Sequence, residues 1–232
     1  MKMYDNKRCV LLANKKLVEA ELAQHRFGNV SMRADNAIII KPSGISLSSC
    51  EIDDMSVVDL HSANLLSGKK PSTDTPTHLV LYHRFEGIKS IIHTHSLYAT
   101  AWAQANRSIP CLGTTHADYW PKEIMVTQDL NETEILGEYE MHTGEMIVKK
   151  IEETKTDVYH NPGILVAHHG PFVWGKTVEE AFKNAEILEY IAKLAWMTLQ
   201  LNPDVPAIPS ELHHRHHSRK QGPNAYYGQE NT

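Results

Sequence analysis

At 232 residues, with 41% hydrophobic and 22% charged side chains, the chain has an ordinary globular balance and is sized for one domain or at most two. A formal net charge of −5 argues against nucleic acid or an anionic membrane as its main partner, since both need a basic surface, and leaves room for a small, locally bound anion. No stretch approaches the roughly 18 apolar residues of a membrane span, and the apolar run from Cys9 to Ala13 is too short for a signal-peptide core.

Apolar residues at Val10, Leu11, Leu17, Val18 and Leu22 recur at helical spacing, so the first segment reads as an amphipathic helix ending before Phe27-Gly28-Asn29. Val30 to Met32 and Ala37 to Ile40 read as strands around the turn Ala34-Asp35-Asn36, with Lys41-Pro42-Ser43-Gly44 a turn by composition. Val57-Val58 reads as another strand, followed by a Ser/Asn/Gly loop to Pro71. Thr75 followed by Pro76 is a helix start, a capping hydroxyl ahead of a proline whose missing N–H costs nothing there, and that helix runs to about Phe85.

Ile88 to Thr94 reads as a buried strand, Ala99 to Ala105 as a short helix and Ile124 to Thr127 as a strand. Asn131 with Glu134 resembles a capping box for a long helix to about Glu153, and Thr177 with Glu180 opens another to about Leu201. Between them, Gly163 to Ala167 and Phe172 to Trp174 form two strands around His168-His169-Gly170-Pro171, and the tail from Pro203 is proline- and histidine-rich, then polar. With no internal repeat or linker, residues 1–232 read as one α/β domain with a mixed or antiparallel sheet.

Cys9, Cys50 and Cys111 lack disulfide-framework spacing and any CxxC pair, which points to reduced thiols in a cytoplasmic protein. The 15 histidines carry more information, because histidine is the commonest protein metal ligand. His93 and His95 end a strand two residues apart, so both imidazoles face one side. His169 closes the next buried strand, where Gly170-Pro171 reads as a turn that leaves its imidazole at the strand end. Three neutral histidines with an open position match a catalytic metal site rather than a closed structural one. An HxH pair alone is more often two satisfied or exposed histidines than ligands, and His168, pointing opposite to His169, is not counted. Asp74, before the helix start, reads as a ligand, a substrate contact or simply N-terminal helix charge.

The runs Gly28-Asn29-Val30-Ser31, Lys41-Pro42-Ser43-Gly44, Lys70-Pro71-Ser72-Thr73-Asp74-Thr75-Pro76-Thr77-His78, Ile92-His93-Thr94-His95-Ser96, Gly113-Thr114-Thr115-His116-Ala117-Asp118-Tyr119, His169-Gly170-Pro171-Phe172 and Ala225-Tyr226-Tyr227-Gly228-Gln229 resemble the L-ribulose-5-phosphate 4-epimerases. These belong to the wider class II aldolase and adducin head domain family. The resemblance implies an α/β/α sandwich around a mostly antiparallel sheet, assembled as a homotetramer with active sites between subunits. It implies a divalent metal, zinc first with manganese or another ion as alternatives, on Asp74, His93, His95 and His169. The phosphate-binding positions match Gly28, Asn29, Ser43, Gly44, Ser72 and Thr73, with Lys41 beside them, a set of loop N–H groups and hydroxyls suited to an anion. His216 and Arg219 also stand in matching positions, and Asp118 and Tyr227 match acid/base groups supplied by a neighbouring subunit.

The implied reaction interconverts L-ribulose 5-phosphate and D-xylulose 5-phosphate by breaking and remaking C3–C4, within pentose use of the arabinose or ascorbate type. Which of Asp118 and Tyr227 serves which epimer stays open at this level. A class II aldolase of the fuculose-phosphate type is the alternative enzyme, although those aldolases carry a glutamate where this chain has Asp74. A non-catalytic interaction domain like the adducin head is the third reading, and the intact histidine set counts against it.

Overall fold

The described residues, 2–24, 27–220 and 225–226 of a computed structural model, open with helix α1 (Lys2–Glu19) and four strands, β1 (Asn29–Ala34), β2 (Ala37–Ile40), β3 (Ser56–Asp59) and β4 (Leu65–Ser67). Helix α2 (Thr75–Arg84), strand β5 (Ser90–His93) and helices α3 (Leu97–Gln104), α4 (Thr114–Ala117), α5 (Glu132–Leu136) and α6 (Tyr139–Glu153) follow. The hairpin β6 (Gly163–Val166) and β7 (Gly170–Gly175) leads into α7 (Val178–Leu201) and α8 (Ser210–Lys220).

The strands form one sheet in the order β4-β3-β2-β1-β5-β7-β6, and every named pairing is antiparallel. Successive strand residues face opposite sides, and here both sides are covered. Ile39, Ile92, Leu165 and Val173 join Val10, Leu17, Ala99, Trp102, Leu188 and Ile191 in a core under α1, α3 and α7. Their neighbours Ile38, Ile40, Ile91, Phe172 and Trp174 pack with Leu81, Tyr82, Ile147 and Ile151 of α2 and α6 on the other side. The result is the expected α/β/α sandwich, and two covered faces explain why β2, β5, β6 and β7 are buried along their whole lengths.

Several local expectations are revised. Asp74, not Thr75, is the N-cap of α2; the Thr75 hydroxyl turns back to donate to the Ser72 carbonyl at 2.6 Å, so Thr75 is the first helical residue. The capping box of Asn131 and Glu134 forms, but its helix stops after Leu136 and restarts at Tyr139. Ile124 and Val126 make only isolated bridges, to Ile109 and Leu165. The loop before Pro71 contains the exposed strand β4, and the polar tail contains α8, which has no buried residue to mark it as a helix by hydrophobic period. Beyond His93 the β5 chain leaves the sheet, and the turn in the hairpin is Ala167-His168-His169, with Gly170 and Pro171 already in β7.

Candidate metal centre and anion cleft

Sheet register assembles the site. Asn29 of β1 pairs with His93 of β5, and His93 pairs with Phe172 of β7, so three side chains at one end of the sheet stand in a row on the α2/α6 side. Phe172 stacks on the His93 ring, with centroids 4.2 Å apart. His93 donates Nδ1–H to the Pro171 carbonyl at 3.0 Å, since a carbonyl only accepts, and this leaves Nε2 with the lone pair. His95 Nε2 lies 3.1 Å from His93 Nε2.

The hairpin turn supplies the third imidazole. His168 occupies the left-handed region at φ 58°, and its exposed ring reaches Asp129 at 3.1 Å, away from the cleft. His169 turns inward, its ring centroid 4.6 Å from His93 and 5.0 Å from His95. One nitrogen from each of the three rings lies within 4.8 Å of the others. Nitrogens around a tetrahedral ion at about 2.0–2.1 Å stand about 3.4 Å apart, so this donor set fits a divalent metal with small side-chain adjustments.

Protonation state fits as well. Burial, with His169 and His95 adding to it, holds His93 well below the ordinary imidazole range. Burial lowers His95 and His169 too, and nearby Asp74 opposes the shift in both. All three are therefore kept neutral, as metal ligation requires. Asp74 lines the same cleft, its oxygens are not among the converging donors, and the Asn29 amide donates to Asp74 Oδ2 at 2.5 Å.

The histidines form one wall of a cleft of about 310 Å³ also lined by Gly28, Asn29, Lys41, Ser43, Gly44, Ser72 and Thr73. The sequence-based anion positions are thus brought to one place, beside the metal-type donors. Lys41 is buried and donates Nζ–H to the Gly28 carbonyl at 3.1 Å, which tethers the Gly28 turn. Gly28 has φ 83°, and a Cβ there would sit 2.9 Å from the His93 carbonyl, so only glycine allows this turn to lie against the end of β5. The expectation of backbone N–H groups as anion donors is modified: Ser43 N–H donates to the Lys70 carbonyl at 2.8 Å and Ser72 N–H to the Lys41 carbonyl at 3.0 Å. At those two positions the hydroxyls are what the cleft can use.

Four lining residues escaped sequence reasoning: Phe27, Pro42, Tyr139 and Glu140. Phe27 stacks on His95 with centroids 5.4 Å apart. The Tyr139 hydroxyl lies 3.2 Å from His169 Nδ1. Tyr139 and Glu140 begin α6, and the only sequence sign of that helix start is Gly137.

Asp118, His216 and Arg219 are elsewhere. Asp118 follows α4 and is 7% exposed. Arg219 of α8 donates to it twice, Nε to Oδ1 at 3.0 Å and Nη2 to Oδ2 at 2.8 Å, and His216 Nδ1 lies 3.1 Å from Oδ1. Burial pushes the Asp118 carboxyl up, and the bonds from Arg219 and His216 outweigh it, holding it below the usual carboxylate range. The chain's own cleft therefore does not receive these three residues, because docking of α8 on the α4 segment engages them with one another. Tyr227 lies outside the described residues.

Comparison with known proteins agrees with this geometry. The model of the class II aldolase and adducin N-terminal domain matches residues 8–196. The L-ribulose-5-phosphate 4-epimerases UlaF of Salmonella paratyphi C and Salmonella paratyphi A are 45% and 44% identical over 225 residues, 96% of this chain and 98% of theirs. Among solved structures, an L-fuculose 1-phosphate aldolase superposes with a TM-score of 0.77 at 24% identity, covering 93% of this chain and 95% of that one. A sugar-phosphate aldolase from Thermotoga maritima gives 0.68 at 20% identity, over 90% of this chain and all of that one. At such identities the structural likeness speaks for the fold alone. Among the described residues no helix is long and apolar enough to cross a membrane.

Proposed function

The chain belongs to the class II aldolase and adducin N-terminal domain family, and from that premise we propose that it is an L-ribulose-5-phosphate 4-epimerase, an isomerase of sugar phosphate metabolism. The observation that carries the reading is the union, in one cleft, of three converging histidines with a lysine- and hydroxyl-lined lobe. We read 1–232 as one domain acting in the cytoplasm, in arabinose or ascorbate-type pentose use, and as a homotetramer whose sites lie between subunits.

His93, His95 and His169 would hold a divalent ion, zinc being favoured by the three-imidazole donor set, and Asp74 is the further candidate ligand. A bound ion would supply Lewis-acid stabilisation of the charge that develops on the ketose half. Lys41, Asn29 and the hydroxyls of Ser43, Ser72 and Thr73 hold the phosphate, while Gly28 and Gly44 let the backbone pass close to it. A base on one face takes the C4 hydroxyl proton, and C3–C4 breaks into the enediolate of dihydroxyacetone and glycolaldehyde phosphate. The aldehyde turns about its anchored phosphate and is attacked on its other face, and an acid on that side returns a proton to the new C4 alkoxide. Two proton-transfer groups on opposite sides are needed, and Asp118 and Tyr227 of a neighbouring subunit fill the roles. The engagement of Asp118 away from its own cleft supports that division. His216 and Arg219 stay candidate substrate- or phosphate-binding groups by the family resemblance, and within the chain they hold the Asp118 carboxylate.

The experiment is measurement of bound metal in the purified protein together with turnover of L-ribulose 5-phosphate to D-xylulose 5-phosphate. Metal-loaded protein that cleaves ketose 1-phosphates and leaves both pentulose 5-phosphates unchanged would replace the epimerase reading with the aldolase one.

A further inference from the structure

Each imidazole of the donor set has a partner that orients it. The Pro171 carbonyl fixes His93 through Nδ1, and Phe27 stacks on His95. His169 comes from the three-residue turn between β6 and β7, and its Nδ1 meets the Tyr139 hydroxyl at 3.2 Å, with the two rings stacked at 6.1 Å and 30°.

The break in the predicted long helix explains how Tyr139 arrives there. A helix continuous from Glu132 would carry Tyr139 as an interior residue; the interruption at Gly137 makes it the first residue of α6, at the cleft. That end of α6 is anchored. Thr77 of α2 donates its hydroxyl to the Glu140 carbonyl at 2.5 Å, and Thr143 donates to the Tyr139 carbonyl at 2.8 Å. Tyr139 is therefore presented from a helix start pinned to α2.

Resting on the metal-dependent reading above, we infer that Tyr139 is the positioning residue for His169: its phenolic oxygen accepts the Nδ1–H and leaves the Nε2 lone pair for the metal. Partners of this kind tune metal affinity about 10–100-fold, because they set the tautomer and hold the ring in the direction the metal needs.

The test is Tyr139→Phe, which removes only the hydroxyl, in the full-length protein with Zn2+ alone as probe. Competition with a chromophoric chelator is expected to show at least about tenfold weaker zinc binding, while the melting midpoint of the metal-free protein stays as in the wild type. At saturating zinc, turnover is expected to recover to within a few-fold. Unchanged zinc affinity overturns the inference, whether the variant melts lower, a merely structural role, or stays inactive at saturating zinc, a substrate contact. In the wild-type protein, imidazole 15N shifts of metal-free His169 are expected to show protonated Nδ1, and an Nε2–H tautomer overturns the inference without any variant. Wild-type protein that binds no divalent ion brings down the metal-dependent reading as well. Wild-type protein that binds zinc and turns over beside a Tyr139→Phe variant of equal affinity brings down this inference alone.

Discussion

Gly28→Ala tests whether the anion turn and the metal wall are coupled through a single close approach. Gly28 sits at φ 83°, a left-handed conformation that costs an L-residue roughly 1–2 kcal/mol. Its new Cβ would stand 2.9 Å from the His93 carbonyl, 3.3 Å from Ala23 Cβ and 3.4 Å from Thr94 Cα. Moving the strand end back by a few tenths of an ångström adds about 1–3 kcal/mol, the usual range for overpacking. Gly44 is the matched control: its φ is 74°, and a Cβ there meets nothing within 4 Å. Alanine's smaller unfolded-state entropy returns about 0.4–1 kcal/mol in both variants. The expected net costs are about 3 kcal/mol for Gly28→Ala and about 1 kcal/mol for Gly44→Ala. At roughly 2–4 °C per kcal/mol for a chain of this length, melting midpoints fall by about 6–12 °C and about 2–4 °C. Scanning both metal-free variants at one protein concentration reads the difference directly. Because the displaced backbone carries His93 and Thr94, Gly28→Ala also weakens zinc binding, while Gly44→Ala leaves it intact. Equal midpoints with equal zinc affinities would refute the close approach.

Acid lowers stability through imidazoles held neutral by burial. His78 is depressed to about 3 and His116 to about 4, burial being the main cause in each. The unfolded chain takes these protons near pH 6.5, so the stabilisation is complete above that pH and is lost as pH falls toward the folded values. From pH 7 to 5 each site removes about 2 kcal/mol, and His116→Gln is expected to reduce the fall in melting midpoint by its own share, the other buried imidazoles keeping theirs; an unchanged pH profile contradicts the burial account. His93→Ala, His95→Ala and His169→Ala are each expected to lose zinc while folding, and His168→Ala to keep it, as elemental content reports; full occupancy in His169→Ala removes it from the donor set. Mixed oligomers of Asp118→Asn and His95→Ala subunits are expected to regain activity that neither parent has, because some interfaces then carry both intact halves, and inactive mixed oligomers would exclude the shared site.

Legibility in the sequence followed physical cause. The sandwich was readable because strands such as Ala37–Ile40 and Ile164–Val166 are apolar throughout and the helix starts at Asn131 and Thr177 carry capping side chains that the structure uses. Of the three histidines, His93 ends β5 and His169 lies in the hairpin turn, but His95 stands beyond the strand, so its approach to His93 owes nothing to strand period two; the family resemblance supplied the anion positions. Helix α8 was not readable, since ion pairs and hydrogen bonds to the α4 segment hold it rather than an apolar stripe. Tyr139 was hidden for another reason: a strong capping box eight residues earlier propagates a helix in any local reading, and only tertiary packing on α2 decides that it restarts at Tyr139. The pairing of Asp118 with Arg219 spans 101 residues and leaves no local trace.

The central claim is that epimerisation at C4 proceeds through cleavage of C3–C4 and not through proton or hydride removal at C4 itself. That hydrogen has no adjacent carbonyl to acidify it, and the chain carries no Gly-rich dinucleotide fingerprint of the GxGxxG type. The direct measurement is conversion of L-ribulose 5-phosphate in deuterated water, read at C4 by NMR and mass spectrometry. The account predicts D-xylulose 5-phosphate with no deuterium at C4, formed without nicotinamide, together with slow condensation of added dihydroxyacetone and glycolaldehyde phosphate into pentulose phosphates. Deuterium at C4, or turnover that requires nicotinamide, would contradict it.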